Sequence, residues 1–94
     1  MAIPHEPKRY DILILPSARR QIRQFQNTQR KQADNLIAGI MLLADNPRPP
    51  GVRKLVNREE WRLRVGDYRA LFLIDDQKQT ITITAIAHRR EIYR

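Results

Sequence analysis

The sequence predicts an α+β fold: an antiparallel β-sheet with an N-terminal helical hairpin packed on one face, in the order β-α-α-β-β-β. Three observations predict it. Apolar residues recur at helical spacing between residues 18 and 44. Between residues 52 and 87 they alternate with polar residues or run continuously, as strands do. A short apolar run precedes both patterns, and proline-rich or glycine-containing breaks separate them. The chain has 94 residues, room for one domain with one modest core. Residues 1–94 are therefore expected to form a single unit, with residues 1–8 as a loose tail carrying two prolines.

Arg9–Leu15 (RYDILIL) is the first strand candidate. Pro16 and Ser17 then switch the pattern. Ala18, Ile22 and Phe25 mark one face of a helix, and Arg19, Arg20 and Arg23 the other. Asn27 or Thr28 can cap a second helix, on which Ala33, Leu36, Ile37, Ile40, Met41 and Ala44 form the apolar stripe. The stretch DNPRPPG (45–51) ends it, since its three prolines cannot continue a helix. Val52–Val56 is a short strand candidate, and Glu60–Val65 alternates. Tyr68–Ile74 is apolar on both sides, as a central strand should be, and Thr80–Ala87 alternates with β-branched residues.

The register follows from the turns. Gly66-Asp67 suits a two-residue hairpin loop, with Gly66 at φ > 0. Val65 then opposes Tyr68, and Arg64 opposes Arg69. One face collects Trp61, Leu63, Val65, Tyr68, Ala70, Phe72 and Ile74, which should meet the helices. Pairing Ile74 with Ile81, around a turn at Gln77-Lys78, adds Ile81, Ile83, Ala85 and Ala87 to that face. Arg62, Arg64, Arg69, Leu71 and Leu73 then share the opposite face with Thr82, Thr84, Ile86 and His88. Three arginines and a histidine are thus expected on the side away from the helices. A one-residue slip would bury the arginines, which fixes the choice.

Charge points the same way. Eighteen Lys and Arg, fourteen of them Arg, face ten Asp and Glu, giving +8. Such a field attracts polyanions, and the planar guanidinium fork suits phosphate in particular. Like charges opposed across a sheet are destabilising, and a fold tolerates them more readily when an anion is the usual occupant. The absence of cysteine excludes disulfides and thiolate metal sites, and His5 and His88 lie far apart, so neither metal nor cofactor is expected. No apolar run approaches the roughly 20 residues needed to span a bilayer, and the N-terminus does not read as a signal peptide, so a cytoplasmic protein is expected.

The segment WRLRVGDYRALFLID followed by AIAHRREIYR resembles the RelE group of the RelE/ParE toxin superfamily. Its most specific parts are R-x-R-x-G-D-Y-R at 62–69 and H-R-R-E-x-Y-R at 88–94. The resemblance implies the toxin of a type II toxin–antitoxin system, a metal-independent endoribonuclease that cuts mRNA on the ribosome and is neutralised by a cognate acidic antitoxin. By motif position it implies catalytic roles for Arg62, Arg64, Arg69, Arg89 and Tyr93; His88 is a further catalytic candidate, and Arg53, Lys54, Arg90 and Arg94 are expected to contact the RNA. Some members carry lysines at the positions of Arg62 and Arg64; arginine does not lose its proton, so the base must be sought elsewhere. His88 starts near pKa ~6.5 and Tyr93 near ~10 with cations beside it, which leaves both as candidates. Glu91 is more naturally an arginine's partner. The alternative is a ParE-like inhibitor of DNA gyrase, which binds and does not cleave.

Overall fold

The computed structural model of the protein describes residues 9–88. The chain runs β1 (Asp11–Ile14), α1 (Pro16–Thr28), α2 (Arg30–Leu42), β2 (Arg53–Lys54), β3 (Trp61–Val65), β4 (Tyr68–Asp75) and β5 (Thr80–His88). The strands form one sheet in the order β1-β5-β4-β3-β2. The expected α+β class is observed, with two refinements. The stretch after the prolines contributes a two-residue strand, β2, so four strands follow the helices. The sheet is mixed, because β1 lies parallel to β5, with Asp11 opposite Thr80 and Ile14 opposite Ile83. The helical hairpin carries the chain across one sheet face, and the later strands then reverse direction one after another until β5 runs with β1.

Pro16 occupies the first turn of α1, where a missing N–H is harmless. A single residue, Gln29, joins the helices, and its N–H donates to the Phe25 carbonyl at 2.6 Å. Neither Asn27 nor Thr28 caps α2, since both lie within α1 and Gln29 holds the cap position without a side-chain bond. Ala18 and Ile22 of α1 and Ala33, Leu36 and Ile40 of α2 are buried. Met41, placed in the apolar stripe by its spacing, is 49% exposed, and Leu43, three residues beyond Ile40, is buried. Gly39 lets α2 approach β3 closely: a Cβ there would lie 2.9 Å from Val65 Cγ2.

The hairpin registers agree with the turn argument. Val65 faces Tyr68 and Arg64 faces Arg69, with Gly66 at φ +58° in the loop. Ile74 faces Ile81. The helix-side face of Trp61, Leu63, Val65, Tyr68, Ala70, Phe72 and Ile74 belongs to the core or packs on it. Tyr68 ties that face to the helical hairpin, its hydroxyl donating to Gln29 Oε1 at 2.6 Å and its ring 4.5 Å from that of Phe25.

One irregularity changes what the last strand presents. Leu71 pairs with Ala85 but Phe72 pairs with Ile83, so Thr84 is an extra residue in β5. This is a β-bulge, and it reverses the facing of every later residue. Ile86, expected on the outer face, is fully buried in the core opposite Ala70. Ala85 and Ala87, expected in the core, pair with Leu71 and Arg69 on the outer face.

Candidate functional site

The outer face of the sheet brings arginines together from three strands. Arg53 of β2 is the partner of Arg62 of β3, and Arg64 of β3 is the partner of Arg69 of β4. Arg62 and Arg64 are two residues apart on one strand and so point the same way. The four form two adjacent rungs of a ladder. Opposed residues stand roughly 5 Å apart at Cα, and Arg62 and Arg64 roughly 7 Å apart along β3, spacings that long guanidinium side chains can close on one phosphate. Arg53 and Arg64 are exposed, and Arg62 is half-buried. Lys54 does not join them, since it pairs with Trp61 on the helix-facing side.

Arg69 departs from expectation. It lies on the expected face but is only 1% exposed, so it is not a solvated surface cation. Its Nη1 donates to the Gly66 carbonyl at 3.2 Å and to the Tyr68 carbonyl at 3.1 Å. Burying a guanidinium is costly unless its donors find acceptors, and here the hairpin's own backbone supplies two for Nη1. Arg69 therefore braces the Gly66 turn that carries Arg64.

His88 departs as well. The bulge at Thr84 sets it opposite Tyr68, on the helix side of the sheet, with the two rings edge to face at 5.7 Å. It does not share the arginine face. The signal that could have revealed this is in the sequence: the isoleucines of β5 stand at 81, 83 and 86, and the last step breaks period two. Arg89, Arg90, Tyr93 and Arg94 lie outside the described residues.

The opposite end of the sheet holds a separate polar cluster. Tyr10 donates from its hydroxyl to Asp76 Oδ1 at 2.7 Å, and Arg48 forks onto both Asp76 oxygens at 3.3 and 2.9 Å. The hydrogen bond from Arg48, then that from Tyr10, holds the Asp76 carboxyl below its usual pKa. Arg48 also lies 4.9 Å over the Trp61 ring. This cluster ties Tyr10, just before β1, to the β4–β5 turn and to the start of β3, where Trp61 faces the helix side and its neighbour Arg62 the outer face. Among the described residues, no group of three or more His, Cys, Asp or Glu is placed to hold a metal ion. No helix among them is long and apolar enough to cross a membrane.

Residues 12–93 match the family model described as the ParE toxin of a type II toxin-antitoxin system, parDE. The fold is similar to that of several solved toxins. The RelBE2 toxin-antitoxin complex from Mycobacterium tuberculosis matches with a TM-score of 0.75 at 22% identity, covering 89% of this chain and 95% of that one. The archaeal RelE-RelB complex from Pyrococcus horikoshii OT3 matches with a TM-score of 0.72 at 21% identity, over 85% and 94%. The YoeB/ParE toxin from Agrobacterium tumefaciens matches with a TM-score of 0.72 at 13% identity, over 83% and 96%. No curated protein sequence matches the chain.

Proposed function

The chain belongs to the ParE toxin family of type II toxin–antitoxin systems, and from its arginine ladder we propose that it is an endoribonuclease that cuts mRNA without a metal ion, on the ribosome, and thereby halts translation. The observation that carries this reading is the pairing of Arg53 with Arg62 and of Arg64 with Arg69 on one sheet face. Like charges opposed across a sheet are destabilising, and a phosphate held between them offsets that cost.

Cleavage of this kind forms a bond from the 2′-oxygen to phosphorus and breaks the bond to the 5′-oxygen. A base takes the 2′-proton, and an acid returns one to the leaving oxygen. Arg62 and Arg64 supply donors to the phosphorane, which bears more negative charge than the ground state. Arg69 holds the turn that places Arg64 and adds positive charge beneath it. Arg89 completes the cation set, and Arg53, Arg90 and Arg94 extend contacts along the RNA; Lys54, on the helix-facing side, is not part of that path. The place of His88 on the helix side, against Tyr68, favours Tyr93 as the proton carrier. In a cytoplasmic resting state, an acidic antitoxin covers or distorts this face. The solved relatives that are toxin-antitoxin complexes support such a partner.

A second reading has one observation in its favour: the matching family model is that of ParE. In that reading the protein inhibits DNA gyrase by binding it. One experiment separates the two. After induction in growing cells, RNA 5′ ends are mapped and gyrase supercoiling activity is assayed. New ends within translated mRNA, lost in an R62A/R64A variant, are the expected result. Intact mRNA with blocked supercoiling would overturn the ribonuclease reading.

A further inference from the structure

Most arginines on the surface away from the sheet ladder are neutralised locally. Arg9 meets Asp45 at 2.9 Å, Arg30 meets Asp34 at 3.8 Å, Arg48 meets Asp76 at 2.9 Å and Arg58 meets Glu60 at 2.6 Å. Arg19, Arg20 and Arg23 of α1 are different. All three are exposed, and among the described residues none has a carboxylate within ion-pair distance. Residues 16–31 contain no Asp or Glu at all.

This arrangement works against the helix that carries it. Arg19 and Arg23 are four residues apart and Arg20 and Arg23 three, spacings at which like charges repel. Arg19 and Arg20 also lie near the N-terminal end, where the helix dipole disfavours cations. That end has no acidic residue in its first turn and no side-chain cap. A helix chosen for stability alone would not be written this way.

Two of the cations, Arg20 and Arg23, flank a hollow of about 510 Å³ lined with them by Ser17, Gln21, Gln24 and Asn27. A second hollow, of about 480 Å³, shares Arg20 and Arg23 and adds Arg19, Ile14 and Pro16. The first follows the part of β5 that β1 has left: Leu15 makes its last bond to the Ile83 carbonyl, and Gln21 Oε1 then accepts from Ile86 N at 3.0 Å. Its far end, at Asn27, is level along α1 with Phe25, which points the other way and touches Tyr68, the partner of His88, with its ring. The adjacent rung of the sheet is Arg64, Arg69 and Ala87. The hollow thus leads from the arginine ladder's end of the sheet along α1. Its described lining is guanidinium, amide and hydroxyl, with no aliphatic or aromatic side chain. A phosphodiester backbone finds along it the guanidinium, amide and hydroxyl donors that it needs.

We propose that the arginine face of α1 is a second RNA-backbone site, which holds single-stranded RNA continuous with the segment on the sheet's arginine face. The inference rests on the ribonuclease reading and deepens it. The probe is a short single-stranded RNA, 2′-O-methylated so that it resists cleavage, followed by fluorescence anisotropy over a range of salt. The variants are R19Q/R20Q/R23Q and, with the same loss of charge elsewhere, R9Q/R30Q/R58Q. Gln preserves helix propensity, and circular dichroism checks folding.

The α1 variant should bind roughly tenfold or more weakly, and its log–log salt slope should shallow by about 2, at roughly 0.7 per lost phosphate contact. The control variant should retain most of the affinity. Equal losses in both variants, or none in the α1 variant, would overturn the proposal, as would a parent that does not bind this RNA. So would polyglutamate binding that depends on the three arginines when RNA binding does not, which would make the occupant an acidic protein. The ribonuclease reading is judged separately by the RNA ends mapped with the R62A/R64A variant, so either can fail alone.

Discussion

The Thr84 hydroxyl donates to the Leu71 carbonyl at 3.2 Å, across the place where β5 carries one residue more than β4. A bulge interrupts the backbone ladder, and here a side chain replaces part of what is lost. The bulge is what puts Ile86 in the core and turns His88 toward Tyr68. Thr84→Val removes the hydroxyl while keeping the shape. It should cost about 1 kcal/mol in urea unfolding, as for a typical intramolecular hydrogen bond. An unchanged midpoint would mean that the bulge is held by the packing of Ile86 alone.

Arg64 and Arg69 share a rung but should behave differently when truncated. Arg64 is exposed, so Arg64→Ala should leave stability within about 0.5 kcal/mol and lower cleavage roughly 10²-fold, as the loss of a charge-stabilising donor does. Arg69→Ala strips acceptors at Gly66 and Tyr68 of their donor and empties a buried site. It should destabilise by about 2 kcal/mol before any effect on catalysis is measured. Equal thermal stability of the two variants would refute the bracing role of Arg69.

Asp76 links stability to acid. Its folded-state pKa is lowered, first by the bond from Arg48 and then by that from Tyr10. A lowered carboxylate contributes stability that is present above its unfolded value, near ~3.9, and is lost as pH falls through the folded value. Asp76→Asn should therefore be less stable than the parent near neutrality, with the gap closing as pH drops below about 4. Thermal melts across that range test it, and a gap that stays constant would show that the carboxylate's charge is not what matters.

Tyr68 makes the complementary alkaline prediction. Burial first, and the neighbouring Asp67 charge second, raise its pKa. Its contribution is full below the unfolded value of ~10 and is lost as pH rises through the folded value. Tyr68→Phe should lose about 1 kcal/mol at neutral pH, through the missing bond to Gln29, and should show less alkaline destabilisation than the parent. Identical alkaline melting curves would exclude Tyr68 as the titrating group.

The sequence by itself determined the class of fold, the helical hairpin and the two hairpin registers at Gly66 and Ile74. It also placed Arg62, Arg64 and Arg69 on the face away from the helices. These follow from periodicity and turn chemistry, which act between near neighbours and leave a mark on residue order. The tertiary structure alone decided the rest. It placed β1 parallel beside β5, a long-range choice that no local pattern records. It buried Arg69, because exposure depends on what covers a residue and not on which way it points. It set Arg53 against Arg62 through a strand two residues long. It moved His88 to the helix side, because the volume of Ile86 was better spent in the core, and one extra residue in β5 was the way to put it there.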